Sequence, residues 1–214
     1  MKIAYQGIEG SYSESCAKEK YPDCETTPCK TFDECFEKAN EDSSVKAIIP
    51  ESNKTTGNIG VEYLIFKYRL NIYAEHFFPI NHNLLGLPES KMSDIKDVYS
   101  HAQALSQSSS FIKKNKLNEN VRADTAGSAK YISETRDITK GAIASKLSAE
   151  IYNLKIIDSN IQDEKENVTR FLIMQKDIFQ PELEKKKYIT SLLFKLKSKA
   201  GALYSALGSF TLNG

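Results

Sequence analysis

The sequence has 214 residues, enough for one large domain or a domain with a small appendage. Hydrophobic residues make up 40%, which allows a buried core, and 29 basic against 28 acidic residues leave a formal charge of +1, so no electrostatic case for a nucleic-acid partner exists. No run approaches membrane-spanning length and Met1–Gln6 holds no apolar signal core, so a cytoplasmic chain without a membrane partner is expected.

Lys2–Tyr5 reads as a short buried strand. In Gly7–Glu14 that follows, Ser11 and Glu14 form a capping box opening a helix toward Lys20. A glycine before a helix start lets a ligand approach exposed backbone N–H groups, where the dipole favours anions. Cys16, Cys24, Cys29 and Cys35 lack a C-x-x-C pair, and His76, His82 and His101 lie far from them, so free, mostly buried thiols are expected and no metal site. Thr31 and Glu34 cap a second helix whose apolar face is Phe32, Cys35, Phe36 and Ala39.

Val45–Ile49 reads as the next strand, ending at Pro50 in a polar, hydroxyl-rich loop through Asn58, before a helix at Val61–Tyr68. Leu70–Glu75 and Ile80–Leu87 read as long strands that cross between two lobes, with His82 a core histidine. Val98–Ser108 is again strand, polar turn and helix, with Gln103 and Gln107 one turn apart on one face. Val121–Ala123 feeds a small-residue helix entrance at Asp124–Ala129. Gly141–Ser145 is a strand leading to a helix at about Lys146–Tyr152, and Ile156–Asp158 is short. After a polar loop, Asn167–Met174 is the last strongly strand-like run, with Thr169 and Phe171 on one face and Arg170 on the other.

This alternation predicts an α/β chain with mostly parallel sheets in two lobes around a cleft. Three polar helix entrances, Gly10–Ser13, Asn53–Gly57 and Thr125–Ser128, would face that cleft and hold a small anion such as a carboxylate. No G-x-G-x-x-G or Walker pattern follows a strand, which disfavours nucleotides. From residue 179 the composition shifts to a charged linker through 187. Tyr188–Leu196 then alternates as a strand and Ala200–Phe210 reads as an amphipathic helix; these two elements cannot close a core, so the chain is expected to stop inside a second domain or to borrow a partner.

Taken together, these stretches resemble the prephenate dehydratases. The family's G-x-x-G-[ST]-[FY]-S opening stands at Gly7–Ser13, and its S-H-P-Q-A-L-x-Q-C segment at Ser100–Ser108 with Ala102 and Ser108 as departures. D-T-A-G-S-A is intact at Asp124–Ala129, A-I-A-S at Ala142–Ser145, and N-x-T-R-F at Asn167–Phe171. The P-I-E-N-[ST]-x-x-G loop aligns at Asn53 and Gly57, with Ser52 where the pattern has a carboxylate. Glu51 would replace it only through a shift of register, because neighbours in a regular strand point apart. The tail is similar to the start of an ACT domain, whose G-A-L-x-x-x-L-x-x-F helix is Gly201–Phe210, while no E-S-R-P segment occurs.

The resemblance implies a two-lobed α/β domain like the type II periplasmic binding proteins over 1–178, with lobe one at about 1–74 and 160–178 and lobe two at about 75–159. It implies a linker at 179–187 and an incomplete α+β ACT domain at 188–214, with Gly201, Ala202 and Leu203 as allosteric positions. The implied reaction is decarboxylating dehydration of prephenate to phenylpyruvate without a cofactor or metal, as aromatisation supplies the driving force. Thr169 would donate to the leaving oxygen, with Asn53, Ser100 and Gln107 as its polar partners. Ser11, Ser13, Thr125, Gly127, Ser128, Arg170 and Phe171 would bind substrate, with Arg170 suited equally to a substrate carboxylate and to a structural salt bridge. L-Phenylalanine as effector of a full-length chain, and a homodimer or homotetramer, are implied as well. Arogenate dehydration and a non-catalytic two-lobed anion-binding module are the alternative readings.

Overall fold

The computed structural model describes the chain except residues 179, 181, 183–187, 192–193 and 214, and the side chain at 213. Two units are formed, Met1–Phe179 and Gln180–Gly214. The first holds two sheets, one to each lobe.

The first sheet has the order β2-β1-β3-β11-β5, with β4 paired to β3. Its strands are β1 (Lys2–Gln6), β2 (Glu25–Cys29), β3 (Val45–Asn53), β4 (Gly57–Asn58), β5 (Asn71–Pro79) and β11 (Val168–Gln175). Strand alternation sends Ala47, Ile49, Leu172 and Met174 against helices α2 (Phe32–Glu41) and α3 (Glu62–Tyr68). Ile48, Phe171 and Ile173 face the other way, onto Cys16 and Ala17 of α1 (Tyr12–Lys20) and onto Phe78. Strand β11 is thus covered on both faces, which is why its sequence is a near-continuous apolar run.

The second sheet has the order β10-β6-β9-β7-β8. It comprises β6 (Asn83–Gly86), β7 (Asp97–Ser100), β8 (Asn118–Val121), β9 (Lys140–Ala144) and β10 (Lys155–Asp158). Helices α4 (Ala102–Ser106), α5 (Ser109–Lys114), α6 (Thr125–Thr135) and α7 (Lys146–Ile151) complete this lobe. Leu84, Val98 and Ile143 pack with Leu105 and Ile112 on one face; Leu85, Ala142 and Ala144 pack with Ala129 and Ile132 on the other.

The two-lobed α/β architecture agrees with the sequence, but the expectation of mostly parallel sheets is corrected. Among the described residues four strand pairings are parallel and five antiparallel. The antiparallel ones lie at the β3–β4 hairpin and beside the strands where the chain crosses between sheets. Strand β5 remains in the first sheet to Pro79, four residues past the expected start of lobe two.

The chain crosses at Ile80–His82 and returns between Asp158 and Val168. These crossings run side by side: the Ile80 N–H donates to Asn167 O at 2.8 Å and the Ile161 N–H to His82 O at 2.9 Å. A second tie joins the lobes where Gly10 meets α7. The Ser145 and Ser148 hydroxyls both donate to Gly10 O, at 2.6 and 2.8 Å. Gly10 has φ +87°, and a Cβ there would stand 2.7 Å from Ser148 Oγ and 2.9 Å from Ser148 Cα, so only glycine permits the approach.

In the second unit α8 (Ala202–Asn213) confirms the helix, opening after Gly201 at φ +76°. The expected strand at 188–196 is not formed among the described residues, there being no neighbouring strand to complete its hydrogen bonds. The 179–187 linker lies largely outside the described residues.

Candidate active site

The site is built on the antiparallel pairing of Thr169 with Asn53 across β11 and β3. Asn53 ends β3 at a tight turn, and its Oδ1 accepts the Thr55 N–H at 2.9 Å, the Thr55 hydroxyl at 2.6 Å and the Thr56 N–H at 3.2 Å. Those backbone donors can have only an acceptor opposite them, so the orientation of the Asn53 amide is fixed. Its nitrogen then faces β11 and donates to Thr169 Oγ1 and Asn167 Oδ1, both at 2.8 Å.

The same logic propagates outward. Asn167 must present its nitrogen to Gln107 Oε1, at 3.3 Å, and Gln107 Nε2 donates to Thr55 Oγ1 at 2.7 Å. Gln103, one turn earlier, donates to Thr56 Oγ1 at 3.2 Å. Gln107 Oε1 also lies 2.9 Å from His82 Nε2, and His82 Nδ1 lies 2.7 Å from the Tyr12 hydroxyl. Asn53, Asn167, Thr169 and His82 are all buried.

One consequence concerns protons. Thr169 Oγ1 accepts from Asn53, and among the described residues nothing accepts the Thr169 proton, so that proton is left for a ligand. A cavity of about 650 Å³ opens on Thr55, lined also by Lys54, Asp163, Glu164, Lys165 and Glu166. Among the described residues no group of three or more His, Cys, Asp or Glu side chains is gathered as a metal site.

Thr169, Asn53 and Gln107 therefore converge, and Ser100 does not join them. Its fully buried hydroxyl donates to Ile143 O at 2.6 Å on the neighbouring strand β9. Phe171 is likewise placed in the core: it shares a strand face with Thr169, but its ring packs edge-on to Phe78 in the cluster that holds Ile48 and Ile173.

Arg170 is held by carboxylates of its own sheet. Its Nε and Nη2 each lie 2.7 Å from Glu75 Oε2, and Nη1 lies 3.4 Å from Glu51 Oε2. A β-bulge explains how Glu51 reaches it. Arg170 pairs with Ser52 and Phe171 with Pro50, leaving Glu51 as the extra residue. Glu51 and Ser52 thus both oppose Arg170, and the Ser52 hydroxyl donates to Glu51 Oε2 at 2.6 Å.

Of the three helix entrances expected to hold an anion, Asn53–Gly57 is instead the β3–β4 hairpin turn, α3 starting only at Glu62, and the other two each contain a carboxylate already. At α1, Ser11 Oγ accepts the Glu14 N–H, and the buried Glu14 accepts the Gly10 N–H at 2.6 Å and the Thr26 hydroxyl at 3.0 Å. Burial pushes the Glu14 carboxyl up, but these hydrogen bonds and Lys18 at 2.8 Å outweigh it and hold the group below the usual carboxylate range. At α6, Asp124 Oδ1 accepts the Gly127 N–H at 2.5 Å, and the buried Ser128 hydroxyl donates to Asp124 O at 2.8 Å. The Ser13 and Thr125 hydroxyls make no hydrogen bond among the described residues.

Sequence reasoning overlooked three participants. Asn167 could have been found from its spacing, two residues before Thr169 and so on the same strand face. Thr55 lay within the hydroxyl-rich loop. His82 gave no signal, since a histidine in an apolar strand pattern looks like any core residue.

The family model for prephenate dehydratase matches residues 3–178. The chain belongs to this family. A protein named arogenate dehydratase/prephenate dehydratase 1, chloroplastic, from Arabidopsis thaliana is 40% identical over 213 residues, covering 99% of this chain and 54% of the plant protein. The chain spans about half the length of the curated relatives it matches. Among solved structures, a prephenate dehydratase from Arthrobacter aurescens in complex with L-Phe superposes with a TM-score of 0.85 at 22% identity, over 99% of this chain and 72% of that one. GqqA, described as a novel type of quorum quenching acylase, superposes with a TM-score of 0.84 at 28% identity, over 99% and 77%.

Proposed function

We propose that this chain carries out the decarboxylating dehydration of prephenate to phenylpyruvate. The observation that carries the reading is the Thr169 hydroxyl, whose oxygen accepts from the Asn53 amide and whose proton meets no acceptor among the described residues. Prephenate carries two carboxylates and a ring hydroxyl; loss of CO₂ and hydroxide together makes the ring aromatic. The barrier lies in the departing oxygen, which needs a hydrogen-bond donor as charge builds on it. A threonine hydroxyl is a very weak acid, so it needs help. The Asn53 N–H supports negative charge on Oγ1 as the proton moves to the leaving group, which departs as water. Oγ1 is then reprotonated from solvent, and the enzyme is unchanged.

Gln107 Nε2 has a second N–H that makes no bond among the described residues, a further donor for substrate oxygen. For the substrate carboxylates, the Ser13 and Thr125 hydroxyls, which make no hydrogen bond among the described residues, and the first-turn N–H groups of α6 are the candidate donors. The Arg170 geometry favours a structural role over direct substrate binding. L-Phenylalanine as effector is a proposal for a longer chain carrying a whole ACT domain, of which Gly201, Ala202 and Leu203 would open the first helix.

Arogenate has an amine where prephenate has a ketone and passes through the same aromatisation, and the plant relative's name includes both activities. Purified chain incubated with prephenate, followed by phenylpyruvate absorbance, is expected to turn over. A parallel reaction with arogenate, followed by phenylalanine release, compares the two by kcat/KM. Binding of both without conversion of either would contradict the dehydratase reading.

A further inference from the structure

The mechanism above leaves His82 unused, although it is buried, titratable and within hydrogen-bond reach of the site. Its tautomer follows from its neighbours. Gln107 presents Oε1, which can only accept, so His82 Nε2 carries the proton and donates. The bare Nδ1 then accepts from the Tyr12 hydroxyl at 2.7 Å, the shorter of that proton's two contacts, the other being Asn81 O at 3.0 Å. Burial keeps both groups in these forms, pushing the Tyr12 phenol up and holding the imidazole below the ordinary histidine value.

This bond helps fix what Gln107 offers a ligand. With Oε1 turned to His82, Nε2 lies at Thr55 and keeps one N–H in reserve. A flipped amide would put an acceptor there instead. Asn167, at 3.3 Å from Oε1, and the Thr55 hydroxyl, which donates to Asn53 and accepts from Gln107 Nε2 at 2.7 Å, favour the same orientation, and His82 at 2.9 Å is the shorter of the two contacts on Oε1. An amide does not relay protons along such a chain, so His82 acts on orientation and not as a proton source for Thr169.

We infer that His82, braced by Tyr12, is a positioning residue that locks the Gln107 amide with its nitrogen toward the substrate. The kinetic part of this inference rests on the dehydratase reading; the spectroscopic part does not. His82→Leu removes the donor, whereas His82→Gln places an amide N–H near the lost Nε2 position. Loss of one such hydrogen bond corresponds to a fall in kcat/KM of about tenfold for His82→Leu, with His82→Gln staying within about threefold of wild type.

Two NMR readouts accompany the kinetics and need no turnover. Wild-type protein is expected to show the imidazole as the Nε2–H tautomer, and an NOE from the Gln107 side-chain amide protons to the Thr55 methyl. That NOE is expected to vanish in His82→Leu and return in His82→Gln. An Nδ1–H tautomer in the wild type overturns the inference even where His82→Leu fails to fold. So does an NOE retained in folded His82→Leu, or a His82→Gln variant as impaired as His82→Leu. Inactive wild-type protein with the expected tautomer and NOE pattern would sink the dehydratase reading alone.

Discussion

At the scale of single residues, hydrogen-bond direction decides more than proximity. Two backbone N–H groups, of Thr55 and Thr56, fix one amide and thereby the proton of Thr169. Ser108 shows the opposite case, a buried hydroxyl with no hydrogen-bond partner among the described residues, in a helix-start position where it makes no cap bond. An unmet buried hydroxyl costs about 1–3 kcal/mol, so Ser108→Ala should raise unfolding free energy by roughly 1 kcal/mol. An unchanged or lower urea midpoint would contradict this. Glu14 carries a pH signature. Its folded-state value is lowered, so the unfolded chain takes up the proton first as pH falls. The stabilisation is complete above the ordinary carboxylate value of about 4.3 and is lost as pH drops through the lowered one. Urea titrations between neutral and acid pH should show that loss in wild type and a flatter profile in Glu14→Gln; parallel profiles would refute the assignment.

At the scale of elements, the local pattern of strands and helices was legible and its exceptions have physical causes. Strand β2 escaped notice because Pro28 and three polar residues interrupt it, which an edge strand tolerates. Pro50 marked the expected end of β3, yet the strand runs on to Asn53, with Pro50 beside the bulge that admits it. That bulge also brings Glu51 to Arg170, which regular alternation forbids. Parallel or antiparallel pairing was illegible, since it depends on which sheet the chain enters after crossing. In the site, Thr169, Asn53 and Gln107 could be read from sequence, while Ser100 was diverted to a carbonyl on β9 that no local pattern announces. The contact between Gly10, in the turn before α1, and α7 yields its own prediction. A Cβ at Gly10 collides with Ser148 backbone and demands a left-handed φ of a non-glycine residue, so Gly10→Ala should cost roughly 2 kcal/mol. Thermal unfolding indistinguishable from wild type would show that this approach is not tight.

At the scale of the molecule, the two lobes of the first unit are tied by adjacent crossings, and the polar cluster sits where they meet. The second unit differs in character. Leu203, Leu207 and Phe210 recur along one side of α8 and all are exposed. Removing residues 181–214 should abolish any concentration-dependent association in size-exclusion chromatography with light scattering; identical profiles for the two chains would rule out the tail as an association surface. No helix among the described residues is long and apolar enough to cross a membrane. The account as a whole stands on the Thr169 proton. The most direct test compares prephenate turnover by wild type, Thr169→Ala and Thr169→Ser. Loss of a positioned proton donor typically lowers rates by about 10²–10⁴-fold, so Thr169→Ala should fall by at least about 100-fold while Thr169→Ser keeps most of kcat. A Thr169→Ala variant as active as wild type would contradict the account.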